Sequence, residues 1–329
     1  MINDTHGYFF TIFCCLKEGK FRGAFLQITV PFVILANRYS DQVKYQFLKL
    51  RTGKKAREII VEINKRYNMY LNLDDKGVCS ELGINKTREV FSTEYFQKII
   101  TEDMVIIDIG ANIGYYALLE SQLAPKGHVY AIEPVPENYT LLQKNIDLNA
   151  CKNISTYNFA IGNVNGLLDM FVYDKCNWSS FTRIPGEHIV NVIQVPIMTL
   201  DAFIESHVNS HPCFIRMDVE GFEYEILKGA LTTLRAVEPL IICIEMHPRL
   251  MSEDKVEECI QLMKDNHFCV KTIFLEMDDP SDFKYIELIN TLKSILHLPR
   301  YGYYGNDFDS LQELLVRGYF PIVFFEKSA

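Results

Sequence analysis

Hydrophobic and polar positions change rhythm several times along this chain, and each rhythm points to an element. Val105 to Ile109 and Val129 to Ile132 are short runs rich in Val and Ile that end in or beside an acid, the pattern of strands buried on both faces. After each run the apolar period lengthens, which predicts helices over 114–123 and 136–148. A third strand is expected over 154–160, with a turn at Gly162 to Gly166 and an edge-like strand after it. The alternation resumes at Phe214 to Asp218, continues as an amphipathic helix from Tyr224 to Leu234, and reaches another strand at Leu240 to His247. Phe268 to Glu276 and Phe320 to Glu326 complete the series as an antiparallel pair. Strands alternating with helices predict a parallel sheet covered on both faces, with ligands held beyond the carboxyl ends of its strands.

Upstream of this core the reading is coarser. Tyr67 to Leu73 alternates and Asp74 to Gly77 is a turn, which predicts a β-hairpin, followed by a helix from Glu89 to Thr101. Tyr8 to Leu16 and Ala24 to Ala36 are strongly apolar, yet each is far short of the roughly 20 residues that span a bilayer, and Pro31 interrupts the second. They read as a helical appendage packed on the core or as a shallow membrane anchor. No basic n-region or small-residue cleavage site marks a signal peptide. Nine Lys and Arg stand against three acids between Arg38 and Arg66, which reads as a solvated helical face or as a surface for an anionic acceptor or an acidic membrane. The expected division is an appendage over 1–100 and a doubly wound α/β domain over 101–329.

The chemistry is concentrated in the turns. Asp108-Ile109-Gly110-Ala111-Asn112-Ile113-Gly114 joins a strand to a helix through two glycines, which let the backbone turn sharply and a ligand approach closely. The pattern is D-x-G-x-N-x-G, not the G-x-G-x-x-G that seats a pyrophosphate on a helix N-terminus. A carboxylate at that place repels a diphosphate and suits a cation. S-adenosylmethionine (SAM) carries an ammonium and a sulfonium and no phosphate, so it fits better than NAD. Glu133 ends the next strand 25 residues on, where a carboxylate can accept from two ribose hydroxyls.

VIIDIGANIGYYALL, VYAIEPVPENYTLLQKNIDLN, FAIGNVNG and IRMDVEGFEYEILKGALTTL, in that order over about residues 77 to 250, resemble the FkbM family of SAM-dependent methyltransferases. The resemblance implies a Rossmann-like class I methyltransferase fold, with a mostly parallel seven-stranded sheet and an antiparallel last strand. It also implies a SAM cofactor and methyl transfer, usually to a hydroxyl on a sugar, glycan or natural product. The residues placed to hold SAM are Asp108, Gly110, Asn112, Gly114, Glu133, Asn158, Ala160 and Asp218.

Asp218 and Glu220 share a face at one strand tip by period-two alternation, and Glu245 and His247 repeat the spacing at the next. Three carboxylates and an imidazole therefore converge. A helix-cap network around Gly221, a methyl-transfer site and a Mg²⁺ or Mn²⁺ site all fit that set; in the second, His247 is the base matched to neutral pH, with Asp218 and Glu220 beside it. No ligand spacing establishes a metal. Between Leu167 and Val195, after the edge-like strand, Cys176 to Phe181 holds the only Trp, Trp178, which reads as a stacking platform for an adenine or a sugar or as a loop plug. Thr199 is expected to cap a helix over 200–206, with Asp201 structural. The 40-odd residues before the last strand, including Tyr301 to Gly305, read as a lid or acceptor wall or as a structural loop.

Composition narrows the class. With 329 residues, 48% of them hydrophobic, the chain can bury a sizeable core. Nine cysteines with no C-x-x-C pair support neither a zinc ribbon nor a redox motif and read as reduced core thiols of a cytoplasmic protein, with a peripheral membrane contact through residues 1–66 as the alternative. The net charge of −9 is uneven: residues 1–100 carry 16 Lys and Arg against 10 acids, and the remainder 17 against 32. An acidic catalytic region argues against a nucleic-acid substrate. The rival reading is a catalytically inactive SAM-fold scaffold at a membrane or a glycan-assembly complex.

Overall fold

The computed structural model describes residues 57–75, 77–173, 177–184, 186–276, 290 and 301–327. The apolar N-terminal runs, Cys14 and Cys15, and most of the basic stretch lie outside these residues. Strands β1 (Glu58–Ile63) and β2 (Tyr67–Asn72) form an antiparallel hairpin. The hairpin was expected to run downstream of Tyr67, but its partner is Glu58–Ile63, upstream, inside the run assigned to a helical face. Glu58-Ile59-Ile60-Val61-Glu62-Ile63 holds four β-branched residues among its six, and that local propensity outweighs the basic composition around it. Helices α1 (Val78–Asn85) and α2 (Val90–Ile99) follow.

The core starts with β3 (Val105–Ile109), α3 (Tyr115–Leu123), β4 (His128–Ile132), α4 (Pro136–Leu148) and β5 (Ile154–Tyr157). Strands β6 (Ala160–Gly162), β7 (Gly166–Tyr173) and β8 (Ile189–Thr199) then form a separate three-stranded sheet in the order β6-β8-β7, so the strand expected over 154–160 is two strands in two sheets. Helix α5 (Leu200–His207) is capped as expected by Thr199, whose side chain accepts from the Ala202 amide at 3.2 Å. After β9 (Phe214–Met217) the helical stretch is broken at Gly229 into α6 (Glu223–Lys228) and α7 (Leu231–Ala236). Asp201 accepts from the amides of Thr232 and Thr233 at the start of α7, a structural role. The chain ends with β10 (Leu240–Glu245), α8 (Glu253–Asp265), β11 (Cys269–Leu275), β12 (Gly302–Gly305), α9 (Phe308–Val316) and β13 (Ile322–Lys327).

The large sheet has the order β12-β11-β13-β10-β9-β3-β4-β5. Strands β10, β9, β3, β4 and β5 are parallel, and β13 runs antiparallel to both β10 and β11. The seven expected strands thus stand in class I methyltransferase order, and β12 adds an eighth at the edge. Part of the stretch read as a lid or wall is therefore sheet and helix, β12 and α9.

Alternation within the parallel strands sorts two cores. Ile107, Ile109, Ile215 and Met217 face the side covered by α5 to α8, while Ile106, Val129 and Phe214 face the hairpin and α1 to α4. Each fully buried aliphatic or aromatic side chain contributes about 1.5–3 kcal/mol. By the same period-two rule Asp108 and Arg216 fall on the second face, and the parallel register sets them side by side.

Candidate active site

The strand tips of β3, β4 and β9 open on a cleft whose empty volume, counting its mouth, is about 580 Å³. Gly110 starts the loop after β3 at φ +81°, and a Cβ there would sit 2.1 Å from the Asp218 carbonyl oxygen, so the tips of β3 and β9 approach only because the position is glycine. Asn112 also takes a left-handed conformation, and its amide donates to Glu133 Oε2 at 2.8 Å. Glu133 Oε1 accepts from the Val135 amide at 2.9 Å. Burial pushes the Glu133 carboxyl up to about 7 against the pull of these amides. Gly110, Asn112, Glu133 and Ala160 line the cleft, together with Asp218 and Glu220. Gly114 is the left-handed N-cap of α3 and shapes the turn. Asn158 donates through Nδ2 to the carbonyls of Glu133 and Pro134, at 2.9 and 3.1 Å, and so holds the β4 tip from behind.

Asp108 does not meet the expectation that it faces a ligand. It is fully buried and accepts from Arg216 Nη1 at 3.0 Å, while Arg216 Nη2 donates to Asp218 Oδ2 at 2.9 Å. The guanidinium also lies 4.1 Å from the centroid of the Tyr116 ring. Pleat direction decides this: the side chain of Asp108 alternates with Ile109, which faces the cleft, and so turns into the opposite core. Burial raises the Asp108 pKa despite Arg216. Burial acts on Asp218 in the same sense, but Arg216, His247 and Arg88 prevail, and its pKa is lowered.

The tips of β9 and β10 bring Asp218, Glu220, Glu245 and His247 together as expected. His247 Nε2 lies 3.5 Å from Glu220 Oε2 and 3.8 Å from Glu245 Oε1, and Nδ1 lies 2.6 Å from Glu223 Oε1. Burial disfavours the imidazolium, but Glu220, Glu223 and Glu245 outweigh it and raise the His247 pKa well above its ordinary value. His247 is 4% exposed and stands behind the cleft wall. It is therefore not the free base at neutral pH that the sequence led us to expect. Asp218 and Glu220 are the members that reach the cleft, and burial pushes the Glu220 carboxyl up to about 7.

Several members carried little sequence signal. Arg88 pairs with Glu89 at 2.5 Å, and Glu89 accepts from the Tyr116 hydroxyl at 2.7 Å. Glu89, expected as the first residue of a helix, is the left-handed residue that precedes α2. Glu223 orients His247, and Glu276, pushed up to about 7 by burial, accepts from the Ser92 amide at 2.6 Å. A charged pair just before an apolar helix, as in Arg88-Glu89, was the available clue. Ligand atoms of Asp218, Glu220 and His247 lie within 4.8 Å of one another, as do those of Glu89, Asp218 and Glu245. A cation ligated by the first set would have to displace the proton that Glu220, Glu223 and Glu245 favour on His247.

Among the described residues, Cys79, Cys243 and Cys259 are buried free thiols and Cys269 is exposed, so the cysteines are core residues only in part. No described helix is long and apolar enough to cross a membrane.

Comparison with known proteins agrees with this geometry. A hexuronic acid methyltransferase, AglP, from Haloferax volcanii is 28% identical over 185 residues, which cover 51% of this chain and 70% of the relative. Methyltransferase 1 of Beauveria bassiana is 22% identical over 193 residues, 51% of this chain and 74% of that one. The crystal structure of methyltransferase FkbM from Methylobacillus flagellatus aligns with 69% of this chain and 44% of its own, at 17% identity and a TM-score of 0.35. The methyltransferase FkbM domain matches residues 108–287, from the buried Asp108 through both strand tips of the acid cluster. On that match the chain belongs to the FkbM family of methyltransferases.

Proposed function

We propose that this methyltransferase uses SAM and methylates a hydroxyl group of a sugar, glycan or small natural product. Glu133 carries the cofactor reading. It is a buried carboxylate at the tip of β4, braced by the amides of Asn112 and Val135, and it lines a cleft in which, among the described residues, no basic side chain stands to meet a phosphate. Bound there, SAM supplies an electrophilic methyl carbon and a positive charge. Asp218, kept ionised by Arg216, gives that charge a negative partner. Glu220 is placed to take the acceptor's proton, because a base with a pKa near the working pH is the effective one. His247, itself held by Glu223, pairs with Glu220 and offsets the repulsion among the carboxylates. The relative from Haloferax volcanii, which by its name modifies a hexuronic acid, supports a sugar acceptor.

Calorimetric titration with SAM, S-adenosylhomocysteine and NAD tests the cofactor. SAM and S-adenosylhomocysteine should bind, NAD should not, and Glu133→Ala should weaken both by roughly tenfold or more, the loss expected for a charged hydrogen-bond acceptor. A folded wild-type protein that binds neither would sink the reading. Sugars and glycolipids come first in the acceptor screen that follows.

A further inference from the structure

Residues 177–181, between β7 and β8, contribute to the cleft lining and are fixed at several points. The backbones of Ser180 and Phe171 exchange two hydrogen bonds at 2.9 and 3.0 Å. The Ser180 hydroxyl donates to the Glu220 carbonyl at 2.6 Å, and the Phe181 ring lies 4.5 Å from that of Phe222. Within this clamped loop, among the described residues, two polar atoms of cleft-lining side chains find no protein partner. They are Ser179 Oγ, on a side chain only 9% exposed, and Asn177 Oδ1; both atoms are buried, and both residues belong to the cleft lining. A buried polar atom left unpaired is costly, and neighbouring positions of the same loop satisfy theirs. The rest of this part of the cleft is apolar: Ile132, Val135, Ile161, Met170, Phe181 and Phe222. An apolar slot with two unpaired oxygens buried in its wall suits a flat ring system whose faces are apolar and whose edge carries donors. Glu133 stands in the same cleft at the place proposed for the ribose, so the nucleobase is the part of the cofactor that the slot would receive.

We propose that Asn177 and Ser179 read the edge of the cofactor's adenine, which makes the loop over residues 177–181 the element that sets nucleoside specificity. Asn177 Oδ1 accepts from the exocyclic amine, and the rotatable Ser179 hydroxyl bonds an adjacent ring nitrogen. The inference rests on the SAM reading above and adds to it a discrimination that the reading does not require.

The test compares binding of S-adenosylhomocysteine with that of S-inosylhomocysteine, in which a carbonyl oxygen replaces the amine and would meet Asn177 Oδ1 acceptor to acceptor. Wild-type protein should prefer the adenosyl compound by roughly tenfold or more. The preference should collapse toward unity in Asn177→Leu combined with Ser179→Ala, through loss of adenosyl affinity. Asn177→Asp, which accepts but cannot flip an amide to donate, should keep or widen the preference, and its melting curve checks that the loop still folds. Adenosyl affinity and preference both unchanged in the double variant would overturn the proposal while leaving the SAM reading intact. Equal affinity for the two compounds in the wild type would overturn it as well. Binding of neither compound would overturn both readings.

Discussion

Replacing Arg216 with Met is the sharpest test of how the two strand tips are held. The guanidinium is 5% exposed and serves two carboxylates on different strands, Asp108 at 3.0 Å and Asp218 at 2.9 Å, with Tyr116 packed on its face. Met fills much of the volume but removes the charge, which strands Asp108 among apolar side chains. Removing one partner of a buried ion pair typically costs about 3–5 kcal/mol, a large part of the roughly 5–15 kcal/mol that a domain possesses. The deficit should depend on pH in a defined sense. In the wild type the lowered pKa of Asp218 contributes stability that is present above the unfolded carboxylate value and lost as pH falls through the folded one. Without Arg216 the folded-state pKa values of both Asp residues rise above the unfolded ones, so the folded state binds more protons and the variant regains stability as pH is lowered from 8 toward 5. Urea denaturation at pH 5, 6.5 and 8 measures both effects, and Asp108→Asn in the same background should recover part of the loss. A deficit below about 1 kcal/mol, or one that does not change with pH, would refute the triad as the brace of the site.

Glu220→Gln should lower kcat by about 10²–10⁴-fold with little change in SAM affinity, and the wild-type rate should rise as pH passes through 7, a limb that the variant lacks; an unaltered pH profile would count against Glu220 as the proton acceptor. Glu133, Glu220 and Glu276 are each pushed to about 7 by burial and His247 is raised well above its usual value, so the folded state holds more protons than the unfolded chain and ligand-free stability should fall from pH 5.5 to 8, which melting temperatures across that range would show or contradict. Gly110→Ala places a Cβ 2.1 Å from the Asp218 carbonyl oxygen at φ +81°, so a loss of at least about 2 kcal/mol in urea denaturation is expected, and a variant as stable as the wild type would disprove the close approach. Glu120 on α3 is fully buried with neither carboxyl oxygen paired, and its pKa is raised well above the ordinary range; Glu120→Met should therefore stabilise the protein by about 1–3 kcal/mol, and a destabilised variant would mean that Glu120 has a partner after all.

What was legible in the sequence and what was not divides along one physical line. Strand tips are local: an apolar run, a glycine turn and an acid are contiguous, so Gly110, Asn112, Glu133, Asp218 and Glu220 could be found from the order of residues alone, and the structure brings all five to one cleft. Pairing across strands is not local. Whether Asp108 meets a ligand or Arg216 depends on the parallel register of β3 against β9, more than a hundred residues apart, and on which face of the sheet the alternation selects. The protonation state of His247 depends on the same kind of information. Its base strength could be judged from the sequence only by residue type, whereas Glu223 and Glu220 on a neighbouring segment decide that it holds its proton.

The division also explains the chemistry of the site. A negatively walled cleft suits a cationic cofactor, but unopposed carboxylates at one point would repel one another and protonate. Arg216, Arg88 and protonated His247 sit one layer behind the wall and not in it, and their charge keeps Asp218 ionised while burial leaves Glu220 near neutrality. The cluster can then hold a positive charge through Asp218 and accept a proton through Glu220, two tasks that residues of one type perform because their buried neighbours differ.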